Sequence, residues 1–115
     1  MKSNIEYVKP MTIEVGGKTY TLEFSKISVR YAEEVGLELD AIDRKPFTML
    51  MLLFHCAFKM HHPEMTIEDT DAVYDEIEGL TDEEFKKLVD LYRAQAQSFI
   101  RKKDAGERKN AKISL

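Results

Sequence analysis

Four residues of this chain have side chains suited to metal ligation or nucleophilic chemistry and sit close together in sequence: His55, Cys56, His61 and His62. A zinc site needs three or four nitrogen or sulfur ligands that converge on one point. His61 and His62 are neighbours, so on a helix their side chains diverge by about 100°. No HExxH and no paired CxxC accompanies them. Cys56 next to His55 is no better as a nucleophile and base. Adjacent helical side chains point apart, and a reactive thiolate needs an exposed, electropositive setting. Gly16-Gly17 lacks the following helix and Lys-Ser/Thr of a phosphate loop. No carboxylate pair stands apart from the many surface acids. The expectation is therefore structural work for the histidines, for instance complementing a helix C-terminus, with no metal, no cofactor and no catalytic residues.

The element that must hold His55 and Cys56 is more informative than either residue. In Pro46 to Met60, PFTMLMLLFHCAFKM, eleven of fifteen residues are Phe, Met, Leu, Cys or Ala. They surround every face of the helix they would form, and such a helix has to be buried by its own domain or by another chain. It is too short for a bilayer, which takes about 20 residues. Met49, Met51 and Met60 add flexible, polarizable side chains of the kind that accept varied apolar ligands. Helical spacing divides the segment into two sets. Leu50, Phe54 and Phe58 run along one line beside Phe47; Met49, Leu53 and Met60 lie on another side, with Met51 between. One set is expected under the hairpin described below. The other set, Met49, Met51, Leu53 and Met60, is the candidate partner-binding surface.

The rest of the chain supplies the cover. Residues 1–10 have no clear period and read as a flexible arm, followed by one domain over 11–115. Ile13 and Val15 alternate with polar residues before Gly16-Gly17, and Tyr20, Leu22 and Phe24 do so after it. Alternation on both sides of a Gly-Gly turn predicts a β-hairpin with one apolar face. Ser25 can cap a short helix in which Ile27, Tyr31 and Val35 recur every four residues, with Gly36 as its stop. Leu37, Leu39 and Ile42 in the next link can plug into the core. Pro46 suits the first turn of the apolar helix, and Pro63 closes it. Thr66 starts a third helix with a narrow stripe of Ile67, Val73, Tyr74 and Ile77, ended by Gly79. Thr81 to Glu84 is a capping box. It opens a long helix bearing Phe85, Leu88, Val89, Tyr92, Ala96, Phe99 and Ile100, which frays near 101–106. Ala111, Ile113 and Leu115 share one side of the last segment and can add a third strand. The predicted class is α+β: a small antiparallel hairpin, with that third strand as an option, packed on about four helices.

Composition narrows the function classes. The chain has 115 residues, 43% hydrophobic and 33% charged, with net charge −4 and one cysteine. That suits a single domain with a highly charged exterior. No intrachain disulfide is possible, and a lone thiol in an apolar helix suits a reducing compartment. The N-terminus lacks the apolar run of a signal peptide, so the cytoplasm is the expected location and no membrane partner is expected. From Pro63 to Glu84 there are ten acids and no Lys or Arg; from Arg101 to Lys112 there are six bases and two acids. The acidic run solubilises and repels nucleic acid, or orients a basic partner. The basic run has no interleaved aromatics, so nucleic acid is not an expected partner. A small regulatory or nucleic-acid-binding helical domain is the alternative reading, but it needs a basic recognition helix, and the third and fourth helices begin acidic.

The order of segments resembles a known family. TYTLEF, a short helix ending EVGLELDAI, KPFTMLMLLFHCAFKMHHP, the acidic helix AVYDEIEGL, the long helix with KLVDLYR, and the tail KNAKISL together look like the tail assembly chaperones of long-tailed phages and prophages of Gram-positive bacteria. The resemblance spans about residues 11–115. Its most specific pieces are Lys45-Pro46 to Pro63 and Val73 to Ile77. It implies a protein that acts in the host cytoplasm during virion assembly and is not part of the mature tail. It implies a coat on the apolar, helical tape measure protein, which stays soluble until tail tube subunits polymerise around it. In many relatives a frameshift appends a domain that recruits tube subunits. The implied partners are the tape measure protein and tail tube protein. Self-association is expected separately, from the amount of apolar surface on one helix.

Overall fold

The computed structural model describes residues 8–97 and Ser114. Strand β1 (Met11–Val15) turns through Gly16-Gly17 into β2 (Lys18–Leu22). Both glycines have positive φ, 57° and 77°, the conformation a tight hairpin turn demands and side chains resist. The antiparallel register sets Met11 opposite Leu22, Ile13 opposite Tyr20 and Val15 opposite Lys18. Those odd-numbered β1 residues and their partners make the inward face. The four helices are α1 (Lys26–Glu34), α2 (Pro46–Phe58), α3 (Ile67–Glu76) and α4 (Asp82–Gln97), with a 3₁₀ turn over Leu39–Ala41. The fold is α+β, and among the described residues it is a two-stranded sheet on four helices.

Local chemistry explains the helix boundaries. Ser25 Oγ accepts from the Ser28 N–H (3.2 Å), and Ser28 Oγ accepts from the Ser25 N–H (2.6 Å). Thr66 and Asp69 close the same reciprocal box on α3, and Thr81 and Glu84 do so on α4. Each box satisfies two N–H groups that a helix start otherwise leaves unpaired. Pro46 is the first residue of α2, where its missing N–H leaves no bond unmade.

Helix α2 is the centre of the domain. It packs against α1, α3, α4, β2 and the 3₁₀ turn. From Leu53 to Phe58 every residue is buried, whichever direction it faces. The expected hairpin cover is present: the Tyr20 and Phe58 rings meet edge-on at 5.5 Å, and the Glu23 N–H donates to the Ala57 carbonyl at 3.0 Å. Phe24 reaches further and packs edge-on against Tyr92 of α4 at 5.2 Å.

Two expected stripes differ from the sequence reading. On α1 the buried residues are Ser28, Val29 and Ala32, while Ile27 is 74% exposed. On α3 they are Thr70 and Val73, while Ile67 is 48% exposed. In both helices small or hydroxyl-bearing residues share the buried contact with a valine, and the first-turn isoleucine stays at the surface. Leu37 is buried, as its place in the link suggested, and Leu39 and Ile42 are half-buried. Val8 of the expected arm is half-buried against the core. Residues 1–7, Phe99, Ile100, the fraying segment and the proposed third strand at Ala111, Ile113 and Leu115 lie outside the described residues. Among the described residues no helix is long and apolar enough to cross a membrane.

Candidate partner-binding face

The structure separates the apolar residues of α2 along the helix axis as well as around it. Phe47, Phe54 and Phe58 share nearly one angular position. Phe47 is 71% exposed, whereas Phe54 and Phe58 have essentially no exposed surface. Seven residues of α-helix advance about 10 Å, enough to carry Phe47 past the end of the covering elements. Leu50 and Met51, three and four positions after Phe47, are half-buried. Phe47, Leu50 and Met51 therefore form an i, i+3, i+4 ridge on the open half of α2.

This redistributes the candidate residues. Met49 is buried at 5% exposure, and its sulfur accepts the Glu38 N–H at 3.4 Å beneath the Leu37–Ala41 link. Leu53 has no exposed surface. Neither is open to a partner on the monomer, so Met49, Met51, Leu53 and Met60 do not form one open face. Met51 keeps partial exposure, and Met60, just past the end of α2, is 42% exposed. Sequence reasoning named Phe47 only as an inward neighbour, and passed over Ile27 and Ile67 as surface residues. A common signal marks all three: each is a large apolar residue in the first helical turn, within two positions of the N-cap.

The residues that could do chemistry are all engaged in the fold. His55 is buried between α1 and α3, with Nδ1 3.0 Å from Thr70 Oγ1 and Nε2 3.0 Å from Tyr31 Oη. The Thr70 hydroxyl donates to the Ile67 carbonyl at 3.1 Å. Its single hydrogen is thus spent, and its oxygen accepts from His55 Nδ1–H. Nε2 is then the acceptor, and the Tyr31 hydroxyl donates to it. The neutral ring joins α1, α2 and α3 in one chain of bonds. Lys59 Nζ lies over the Tyr31 ring, 4.5 Å from its centroid.

Burial lowers the His55 pKa from its ordinary value of 6.5; the nearby Lys59 lowers it further and Asp71 opposes the change. The unfolded chain takes up this proton as pH falls through 6.5 and the folded chain resists it. His55 therefore favours folding fully above about pH 6.5, and that contribution is lost as acidity increases toward the lowered folded pKa. Melting temperature should fall between pH 7.5 and pH 5, and the slope should be shallower in His55→Gln. An equal slope in both proteins would remove His55 as the cause.

His62 is a second acceptor: its Nε2 takes the Thr21 N–H at 3.1 Å and covers the edge of β2. His61 Nε2 lies 2.8 Å from Glu23 Oε1 at the surface. The Cys56 thiol is fully buried, and desolvation pushes its pKa up to about 12. Alkylation of the native protein should be far slower than for a free thiol, and should accelerate only with unfolding. Rapid native-state alkylation would overturn that assignment. Among the described residues no group of three or more His, Cys, Asp or Glu side chains is placed to hold a metal ion.

Part of the acidic run borders a groove. Glu64, Asp69 and Glu76 line an open groove of about 670 Å³ between α3 and β2, opposite Lys18, Tyr20 and His62. It gives the domain a polar flank beside its apolar core.

The profile of the family described as Domain of unknown function (DUF5055) matches residues 2–115. No curated protein and no solved structure matches the chain.

Proposed function

We propose that this chain, which belongs to the DUF5055 family, is a non-catalytic assembly chaperone of the phage-tail type. It binds apolar helical faces of the tape measure protein in the bacterial cytoplasm, keeps them soluble, helps recruit tail tube subunits, and is not retained in the mature virion. One observation of the structure supports this reading above others: the Phe47–Leu50–Met51 ridge stays open on a helix whose remaining turns form the core. A helical client can lay its own apolar stripe against an i, i+3, i+4 ridge. Unbranched Met51 adapts to a repetitive and variable partner. The segment order that resembles tail assembly chaperones, KPFTMLMLLFHCAFKMHHP above all, includes this ridge. With no phosphate loop in the sequence, release would come from competition by polymerising tube protein and not from nucleotide hydrolysis.

Co-expression with the tape measure protein of the same gene cluster tests the reading. The tape measure protein should move from the insoluble to the soluble fraction and co-purify with this chain. If its solubility is unchanged and nothing co-purifies, the reading fails.

A further inference from the structure

The two edges of the sheet are not alike. Val15 and Lys18 flank the two-residue turn and so form a hydrogen-bonded pair. Alternation along an antiparallel ladder then fixes the rest: Thr19 and Thr21 turn their backbone groups outward on β2, and Thr12 and Glu14 turn theirs outward on β1. The outward side of β2 is engaged. The Thr21 N–H donates to His62 Nε2 at 3.1 Å, and just past the strand the Glu23 N–H donates to the Ala57 carbonyl at 3.0 Å. On β1 no described residue meets the outward groups of Thr12 and Glu14, and both residues are exposed. Beside this edge, Met11, Ile13, Ile77 and Leu80, together with Thr12 and Glu84, line a mixed polar and apolar cavity of about 240 Å³. An edge that no described residue covers, next to a partly apolar hollow, is what an added strand would fill, with backbone bonds along the edge and inward side chains over the hollow.

We infer that β1 is an interaction surface for the β1 strand of a second copy of this chain, paired antiparallel about Ile13. The register is self-complementary. Thr12 of each copy faces Glu14 of the other, and these are the residues whose N–H and C=O groups point outward, so each pair can exchange both hydrogen bonds. Val15 of the second copy then lies opposite Met11, on the face that borders the hollow. Pro10 has no N–H and limits the pairing to the five residues of the strand. The product is a four-stranded sheet with two-fold symmetry, in which the edge of each β2 remains capped by His62.

The rival occupant is the chain's own C-terminal stretch. Residues 98–115 are long enough to reach β1 at about 3.3 Å per extended residue. Ser114, however, is exposed and belongs to no strand, which favours the second copy. The inference stands apart from the chaperone reading, since it concerns only how two copies meet.

Sedimentation equilibrium of the full chain tests it. The mass should rise with concentration toward twice the 13.3 kDa of one chain. Position 12 is exposed and makes no side-chain bond that the fold needs. Thr12→Lys sets an ammonium opposite Glu14 of the second copy at both ends of the interface, and should tighten the dimer several-fold. Thr12→Glu sets like charges there, and should weaken it several-fold. Thr12→Pro removes an outward N–H that meets no described residue, and should abolish the dimer while leaving the dilute protein folded by circular dichroism. A strict monomer at high concentration overturns the inference. So does a dimer indifferent to all three substitutions. So does a monomer that dimerises only after residues 109–115 are removed, because that outcome gives the edge to the chain's own C-terminal segment.

Discussion

Phe54→Ala should cost the domain about 3–5 kcal/mol, the range for truncating a buried aromatic that leaves a cavity. Phe54 has no exposed surface, and its ring packs edge-on against Phe58 at 5.0 Å and Tyr74 at 5.1 Å. Edge-on aromatic contacts add about 0.5–1.5 kcal/mol each beyond area burial, so the upper part of the range is expected. Domains of this size have only about 5–15 kcal/mol in total. The variant should therefore melt on the order of 15–25 °C lower, or populate unfolded chain at growth temperature. The informative control is on the same helix. Phe47→Ala removes the same ring from nearly the same angular position, yet Phe47 is mostly exposed, and its loss should change stability by no more than about 0.5 kcal/mol. Comparable losses in the two variants would mean that Phe47 is covered in solution.

That pair shows where the sequence is legible and where it is not. Periodicity gives the angle of a side chain about its helix axis, and it groups Leu50, Phe54 and Phe58 on one line with Phe47 beside them. It does not report where along the axis the covering helices stop, because that depends on elements distant in sequence. Two of the four candidate residues are closed, for different reasons: Leu53 falls in the length where every side of α2 is covered, whereas Met49 lies in the first turns but about 200° round from Phe47, beneath the Leu37–Ala41 link, and Met51 and Met60 keep exposure. Features with short-range causes were readable. The Gly16-Gly17 hairpin, the Ser25, Thr66 and Thr81 starts, and Pro46 at the head of α2 each depend on bonds within a few residues. On α1 and α3 the expected stripes hold at Tyr31, Val35, Val73, Tyr74 and Ile77 but not at the leading Ile27 and Ile67, and the small or hydroxyl-bearing contacts go unnoticed because hydropathy does not register close approach. Ser28 and Ala32 are buried on α1 because they are small. Thr70 is buried because its hydroxyl is doubly engaged, by the Ile67 carbonyl and by His55. The Tyr31–His55–Thr70 chain joins residues 24 and 15 positions apart, a connection that only the packing of three helices reveals. The contrast between the two sheet edges is likewise a product of assembly: alternation predicts a strand, but His62 arriving beside β2 covers that edge, while no described residue covers β1.

Met51→Glu and Phe47→Glu should each sharply reduce solubilisation of the tape measure protein while leaving the free domain folded. Both residues lie on the open half of α2. A carboxylate at either one has access to water in the monomer, so the cost to folding is small, within about 1 kcal/mol. In a complex with an apolar helix the same carboxylate would be buried without a partner, at a cost of several kcal/mol, and 1.4 kcal/mol already corresponds to tenfold in affinity. At least a tenfold loss of binding is expected, read as tape measure protein returning to the insoluble fraction. Met49→Glu distinguishes this arrangement from the assignment that groups Met49 with Met51. Met49 is inside the core, so a charge there should unfold the domain and abolish solubilisation through loss of the protein itself. Melting curves measured beside the solubility assay separate the two causes. If Met51→Glu and Phe47→Glu remain folded and fully active, the ridge is not the client surface. The exposed Ile27 and Ile67 at the heads of α1 and α3 then become the residues to charge next, since among the described residues they are, with Met60, the other large apolar side chains that the fold leaves in water.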